Sequence, residues 1–143
     1  MSGLFLTLWD KNSNNYDDVL QPTTGGYPHI TCFYSGKNIP KTKLVEFAKN
    51  EKIIFDLNDV TIESGKVNSW GTRHDVLLMI KHDQRLVDLR EAGEKLGKIY
   101  PMGGGGFHTT VGIYDTKEVA EEHLKRIERL FPLTVKVTGF TLN

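Results

Sequence analysis

The chain has 143 residues, 38% hydrophobic and 25% charged, the size and make-up of one globular domain and too short for two. Its 18 Lys and Arg balance 18 Asp and Glu, with no basic run, which argues against long nucleic acid as a partner because phosphate neutralisation needs clustered cations. The single cysteine, Cys32, excludes an intramolecular disulfide framework, a CxxC pair and a Cys-rich zinc site. The apolar stretch 4–9 is too short for a signal peptide or a membrane span, so a cytoplasmic protein is expected.

Residues 3–9 (GLFLTLW) are rich in β-formers and predict a strand buried on both faces. Residues 10–26 turn polar and predict a long loop, of the length that often serves as a binding loop. Residues 27–36 (YPHITCFYSG) predict a second strand, with Cys32 facing the core. Pro40 then opens an amphipathic helix over 41–52 whose face carries Leu44, Val45, Phe47 and Ala48. Residues 53–57 lead to a strand over 60–64, and a polar stretch, 66–75, connects it to an apolar central strand over 76–81. A helix over 83–96 buries Leu86, Leu89 and Leu96 and stops at Gly97. Four glycines, 103–106, exclude regular structure there. A strand over 108–114 follows. Asp115 and Glu118 suggest a capping box for a helix with Val119, Ala120, Leu124, Ile127 and Leu130 on one face, ended by Pro132. A last strand spans 133–142, bent at Gly139. Strands with three interspersed helices make the class α+β or α/β.

Segments 28–64 and 107–143 repeat one order of events within a single domain over 1–143: a strand opening on His, a tyrosine five or six residues on, an amphipathic helix, then a strand with Thr. His29-Ile30-Thr31 falls on His108-Thr109-Thr110. A duplicated lobe with a cleft between the copies is the implied architecture.

In a strand, residues i and i+2 share a face, so His29 neighbours Thr31 and His108 neighbours Thr110. Two facing imidazoles take and give protons near neutral pH, the pairing that phosphodiester transfer needs. Each threonine hydroxyl is placed to donate to a non-bridging phosphate oxygen, where transition-state charge gathers. The scheme calls for no metal and no cofactor. Two coincidental strand histidines are the alternative. It is disfavoured because both pairs open an apolar strand at the same place in the repeat.

Around this centre several residues have two readings each. The glycine run either presents backbone N–H groups to phosphate or forms a lid. Trp70 either stacks on a base or plugs a hairpin, the plug being preferred. Arg73 either pairs with a second phosphate or is solvated, solvation being preferred. Tyr27, Tyr34, Phe107 and Tyr114 flank the motifs, and one or two of them are expected in the pocket. His74-Asp75 and His82-Asp83 lack metal-ligand spacing and are read as surface pairs, and His123 as a packed histidine in its helix.

The strands PHITCFY and FHTTVGIY resemble the two H-x-[ST] motifs of the two-histidine (2H, LigT-like) phosphoesterase superfamily, and the resemblance runs from Leu4 to the end of the chain. It implies an α+β bilobal fold with two pseudo-symmetric sheet-and-helix lobes around a central cleft. It also implies metal-independent cleavage, with His29 and His108 as the catalytic pair and Thr31 and Thr110 on the phosphate. Phe107 and the glycines stand where the family usually has proline before the second His. Members act on 2′,3′-cyclic phosphates, 2′–5′ linkages, RNA ends and, in some viral cases, cyclic dinucleotide immune messengers. The expected function is cleavage of a small signalling nucleotide, a cyclic dinucleotide such as cyclic GMP-AMP (cGAMP) or a 2′–5′ oligoadenylate, which would antagonise nucleotide-triggered antiviral immunity. The alternatives are a 2′,3′-cyclic phosphodiesterase of RNA processing, a nucleotide-sequestering module without turnover and an RNA-end sensor.

Overall fold

A computed structural model describes residues 3–9, 16, 18–20, 27–36, 38–50 and 57–142. Over these residues the protein is α+β, with two antiparallel sheets and three helices. One sheet has the strand order β2-β1-β7 and the other β5-β4-β3-β6. The strands are β1 (Gly3–Thr7), β2 (His29–Tyr34), β3 (Asp59–Trp70), β4 (Arg73–Ile80), β5 (His108–Tyr114), β6 (Leu133–Lys136) and β7 (Gly139–Leu142). The helices are α1 (Lys41–Asn50), α2 (Gln84–Glu94) and α3 (Lys117–Glu128).

β1 is the middle strand of its sheet, and its side chains alternate: Leu4 and Leu6 are fully buried, Phe5 and Thr7 half-buried. The expectation of burial on both faces is thereby corrected. β1 has a covered face and a partly open one, on which Phe5 reaches the site. Of the expected loop 10–26, the described residues Val19 and Leu20 are buried and cap the Tyr16 carbonyl with their N–H groups, so part of it belongs to the core. Residues 10–15, 17 and 21–26 of that loop, and residues 51–56, which include the end of the helix expected over 41–52, lie outside the described residues.

The largest departure lies at 66–75, expected as a polar connector. β3 and β4 instead form one long hairpin, with Trp70 paired to Arg73 across the two-residue turn Gly71-Thr72. Gly71 alone has a positive φ there, +61°, the pattern of a type II′ turn, whose twist suits a hairpin. The strand expected over 133–142 also divides. β6 pairs with β3, the chain passes through Val137-Thr138, and β7 pairs with β1 in the other sheet. The crossing is pinned at both residues: Val137 N–H donates to the Asn58 carbonyl and Thr138 N–H to the Thr7 carbonyl, each at 2.8 Å.

Helix ends follow their caps. The Asp83 side chain accepts from Arg85 N–H at the start of α2. Thr116, and not Asp115, caps α3, accepting from Val119 N–H. Val45 on α1, and Val119 and Leu130 at α3, stand exposed where the sequence placed them on buried faces. Cys32 is fully buried, which pushes its thiol pKa up, and serves as core as expected. Among the described residues, no helix is long and apolar enough to cross a membrane.

Candidate active site

β2 and β5 are edge strands of different sheets, and they pack alongside each other. Both are built alike. In β2 the register against β1 slips after Thr31, leaving Cys32 as an extra residue; in β5 the register against β4 slips after Thr110, leaving Val111 extra. A bulge of this kind bends its strand and re-aims the side chains beside it, and bulges favour such sites. Each motif thus ends on the same irregularity, one residue past its threonine.

The imidazoles are also held alike. His29 Nδ1 lies 3.1 Å from the Tyr27 carbonyl, and His108 Nδ1 lies 2.8 Å from the Gly106 carbonyl, each two residues upstream. A carbonyl oxygen only accepts, so Nδ1 carries hydrogen in both rings and Nε2 is left for chemistry. His29 rests against the Phe5 ring, edge to face at 5.7 Å between centroids. His108 is backed by glycine: a Cβ on Gly104, whose φ is +69°, would stand 2.9 Å from the imidazole. The glycine run therefore supplies both the acceptor and the close packing that fix His108.

A cavity of about 480 Å³ opens between the strands, lined by His29, Thr31, His108 and Thr110 together. That volume lies within the about 300–1,000 Å³ usual for small-molecule sites. Gly103 and Gly104 line it as well, and so do Tyr27, Trp70 and Arg73 from the expected contacts. Tyr34 lines a smaller adjoining cavity. Phe107 and Tyr114 line neither, which corrects their place among pocket contacts: both pack on the core, and the Tyr114 hydroxyl is 2.8 Å from His123 Nδ1. His123 is half-buried, as expected of a packed histidine, and burial lowers its pKa.

The hairpin supplies a wall of which the sequence offered Trp70 and Arg73 but not Asn68, Asp75 or Leu77. Asn68 and Trp70 on β3, and Arg73, Asp75 and Leu77 on β4, alternate onto the cavity with period two. Asp75 is 2% exposed, so it is no surface residue. Its carboxylate accepts from Arg73 Nε at 2.8 Å and Nη2 at 3.1 Å, and from Trp70 Nε1 at 3.3 Å. Arg73 is neither simply solvated nor a free phosphate ligand: the hydrogen bonds it donates to Asp75 raise its pKa, and its guanidinium lies 5.6 Å from the Trp70 ring centroid. Trp70 is 58% exposed, which disposes of the plug; its ring is held by its N–H and stays open to a ligand. Tyr27, 59% exposed, is stacked on Trp9 at 5.1 Å with the rings 7° from parallel. His74 is bonded to Ser69, its Nδ1 2.6 Å from Oγ, and not to Asp75; Asp83 binds Arg85, whose hydrogen bonds hold its pKa down, and the charge of His82 adds to that lowering. The signal for this wall was present in Gly71-Thr72, which reads as a hairpin turn and sets the alternation on either side.

Compared with known proteins, the chain matches no family model and no curated protein.

Proposed function

We propose that this chain is a phosphodiesterase of the two-histidine kind, folded as two pseudo-symmetric lobes, that cleaves a small nucleotide by acid–base catalysis between His29 and His108. The observation that carries the proposal is the matched setting of the imidazoles, each with Nδ1 committed to a backbone carbonyl and both on one cavity with Thr31 and Thr110. A duplicated origin is supported by the equivalent bulges at Cys32 and Val111 and by the exchange of strands between the segments: 28–64 gives β2 to one sheet and β3 to the other, and 107–143 gives β5 and β7 the opposite way.

In the reaction, Nε2 of one histidine takes the proton of a ribose hydroxyl vicinal to the phosphate. The hydroxyl oxygen attacks phosphorus in line, and Nε2–H of the other histidine protonates the departing 5′ oxygen. The Thr31 and Thr110 hydroxyls donate to the non-bridging oxygens as their charge grows. A 2′,3′-cyclic phosphate and a free 5′ hydroxyl result, so bonds and protons balance. Balanced surface charge and a cavity of about 480 Å³ favour a small signalling nucleotide, a cyclic dinucleotide or a short 2′–5′ oligoadenylate, over structured RNA. Removal of such a messenger would blunt nucleotide-triggered immunity.

The test is turnover in excess EDTA over 2′,3′-cyclic mononucleotides, 2′–5′ oligoadenylate and 3′–3′ and 2′–3′ cyclic dinucleotides. Cleavage of one class is expected to survive EDTA and to fall by about 10²–10⁴ in His29→Ala and in His108→Ala. Binding without turnover across the panel makes the protein a sequestering module, and turnover that persists in both variants refutes the site.

A further inference from the structure

A second cavity, of about 210 Å³, adjoins the first and shares Thr31, Gly103 and His108 with it. Trp70 and Arg73 line only the larger space; Tyr34, Tyr100 and Arg90 line only the smaller. The motif residues therefore form the boundary between two walls, each of which carries aromatic rings. Tyr34 and Tyr100 lie 4.6 Å apart between centroids, tilted by 45°, and Tyr100 N–H donates to the Tyr34 carbonyl at 2.7 Å. Tyr100 is 45% exposed, so its ring is open to a ligand.

Charge decides what this space takes. Arg90 is its cation, but Nη1 donates to the Cys32 carbonyl at 3.3 Å and Nη2 to the Tyr100 carbonyl at 2.7 Å. Two of the five guanidinium N–H donors, one from each Nη, are thus committed to tying β2 to the Tyr100 segment, which turns both terminal nitrogens toward backbone. What remains is an aromatic wall with room below the about 300 Å³ at which whole-ligand pockets begin, enough for one flat ring system and not a nucleotide.

We infer that the smaller cavity is a nucleobase subsite with Tyr34 and Tyr100 as its stacking wall. The substrate then carries a base on each side of the phosphate held at the motif, a dinucleotide or longer and not a nucleoside cyclic phosphate. Arg90 is a positioning residue for Tyr100. The inference rests on the phosphodiesterase reading for the phosphate at the centre.

The experiment is calorimetric binding of adenosine dinucleotides in 3′–5′ and 2′–5′ linkage, each lacking the hydroxyl vicinal to the phosphate and so inert, beside the matching deoxyadenosine monophosphates. For at least one linkage the protein should prefer the dinucleotide by about 5- to 150-fold, the range of one stacked base. Tyr100→Ala should bring that ratio toward one, and Tyr100→Phe, which keeps the ring, should retain it. No preference in the unaltered protein, a preference that persists in Tyr100→Ala, or one lost in Tyr100→Phe overturns the subsite. Turnover of the ribo-dinucleotides separates the two proposals. With the preference present and no cleavage of any substrate, the phosphodiesterase reading falls and the subsite stands; with cleavage and no preference, the subsite falls alone.

Discussion

β2 and β5 present the same two residues to one cavity, yet the packing behind the two strands is solved in opposite ways. Four positions after each motif histidine stand Phe33 in β2 and Gly112 in β5. Phe33 packs on Gly93 of α2, where a Cβ would come within 2.5 Å of the ring; Gly112 admits His123 of α3, whose Nδ1 would be 2.7 Å from a Cβ there. Behind β2 the strand gives bulk and the helix gives room, and behind β5 the reverse holds. Interiors tolerate such exchanges when total volume is kept. What both strands share is the bulge and the Nδ1 bond, the features that aim an imidazole. The packing behind the motifs is free to vary; their geometry is not.

That comparison can be broken first at the histidines. If the pair acts as one unit, the double variant His29→Ala, His108→Ala should be little slower than the slower single variant, well short of the product of the two losses; steady-state turnover with the cleaved substrate reads this directly. Multiplying effects would mean the two imidazoles work independently. Next comes the glycine behind His108, which has no aromatic counterpart of Phe5. Gly104→Ala puts an L-residue at φ +69° and a methyl 2.9 Å from the imidazole. The left-handed backbone alone costs about 1–2 kcal/mol. Thermal melting should drop by about 3–8 °C, with a further loss of turnover from the displaced ring. The smallest effect is electrostatic and belongs to the packing behind β5 alone. Burial lowers the His123 pKa below its usual 6.5, so the unfolded chain takes up a proton that the folded one resists. Stability is complete above that value and declines as pH falls through it toward the folded pKa. Melting curves from pH 7.5 to 5 should show this decline, and His123→Gln should flatten it.

That the two His-x-Thr pairs meet on one cavity was legible in the sequence because each pair depends on local rules. A strand repeats every two residues, so H-x-T reads as one face at each of its two occurrences, His29-Thr31 and His108-Thr110. The hairpin wall was not legible by the same means. From Lys66 to Asp75 the only large apolar residues are Val67, packed on the core, and Trp70, on the cavity, and two such residues on opposite faces show no hydrophobic alternation. Trp70 consequently reads as a plug at a hairpin, Arg73 as a solvated charge and Asp75 as half of a surface pair, although Asp75 is buried and binds both. The Tyr34–Tyr100 wall depends on a hydrogen bond between β2 and a segment some sixty residues later, and no local pattern carries that. The Val137-Thr138 crossing was hidden for a related reason: the bend at Gly139 was visible in the sequence, while the change of sheet is decided by partners far away.

That crossing also bears on how the sheet forms. β1 lies between β2 and β7, with Leu4 opposite Leu142 and Thr7 opposite Gly139. β2 is the nearer partner in sequence, but a two-stranded ribbon is marginal by itself. The third strand brings Thr7 to Gly139, and contacts so distant in sequence form slowly. The β3–β4 hairpin, closed by a two-residue turn, carries no such delay. The sheet that presents His29 to the cavity therefore depends on the longest-range strand pairing among the described residues.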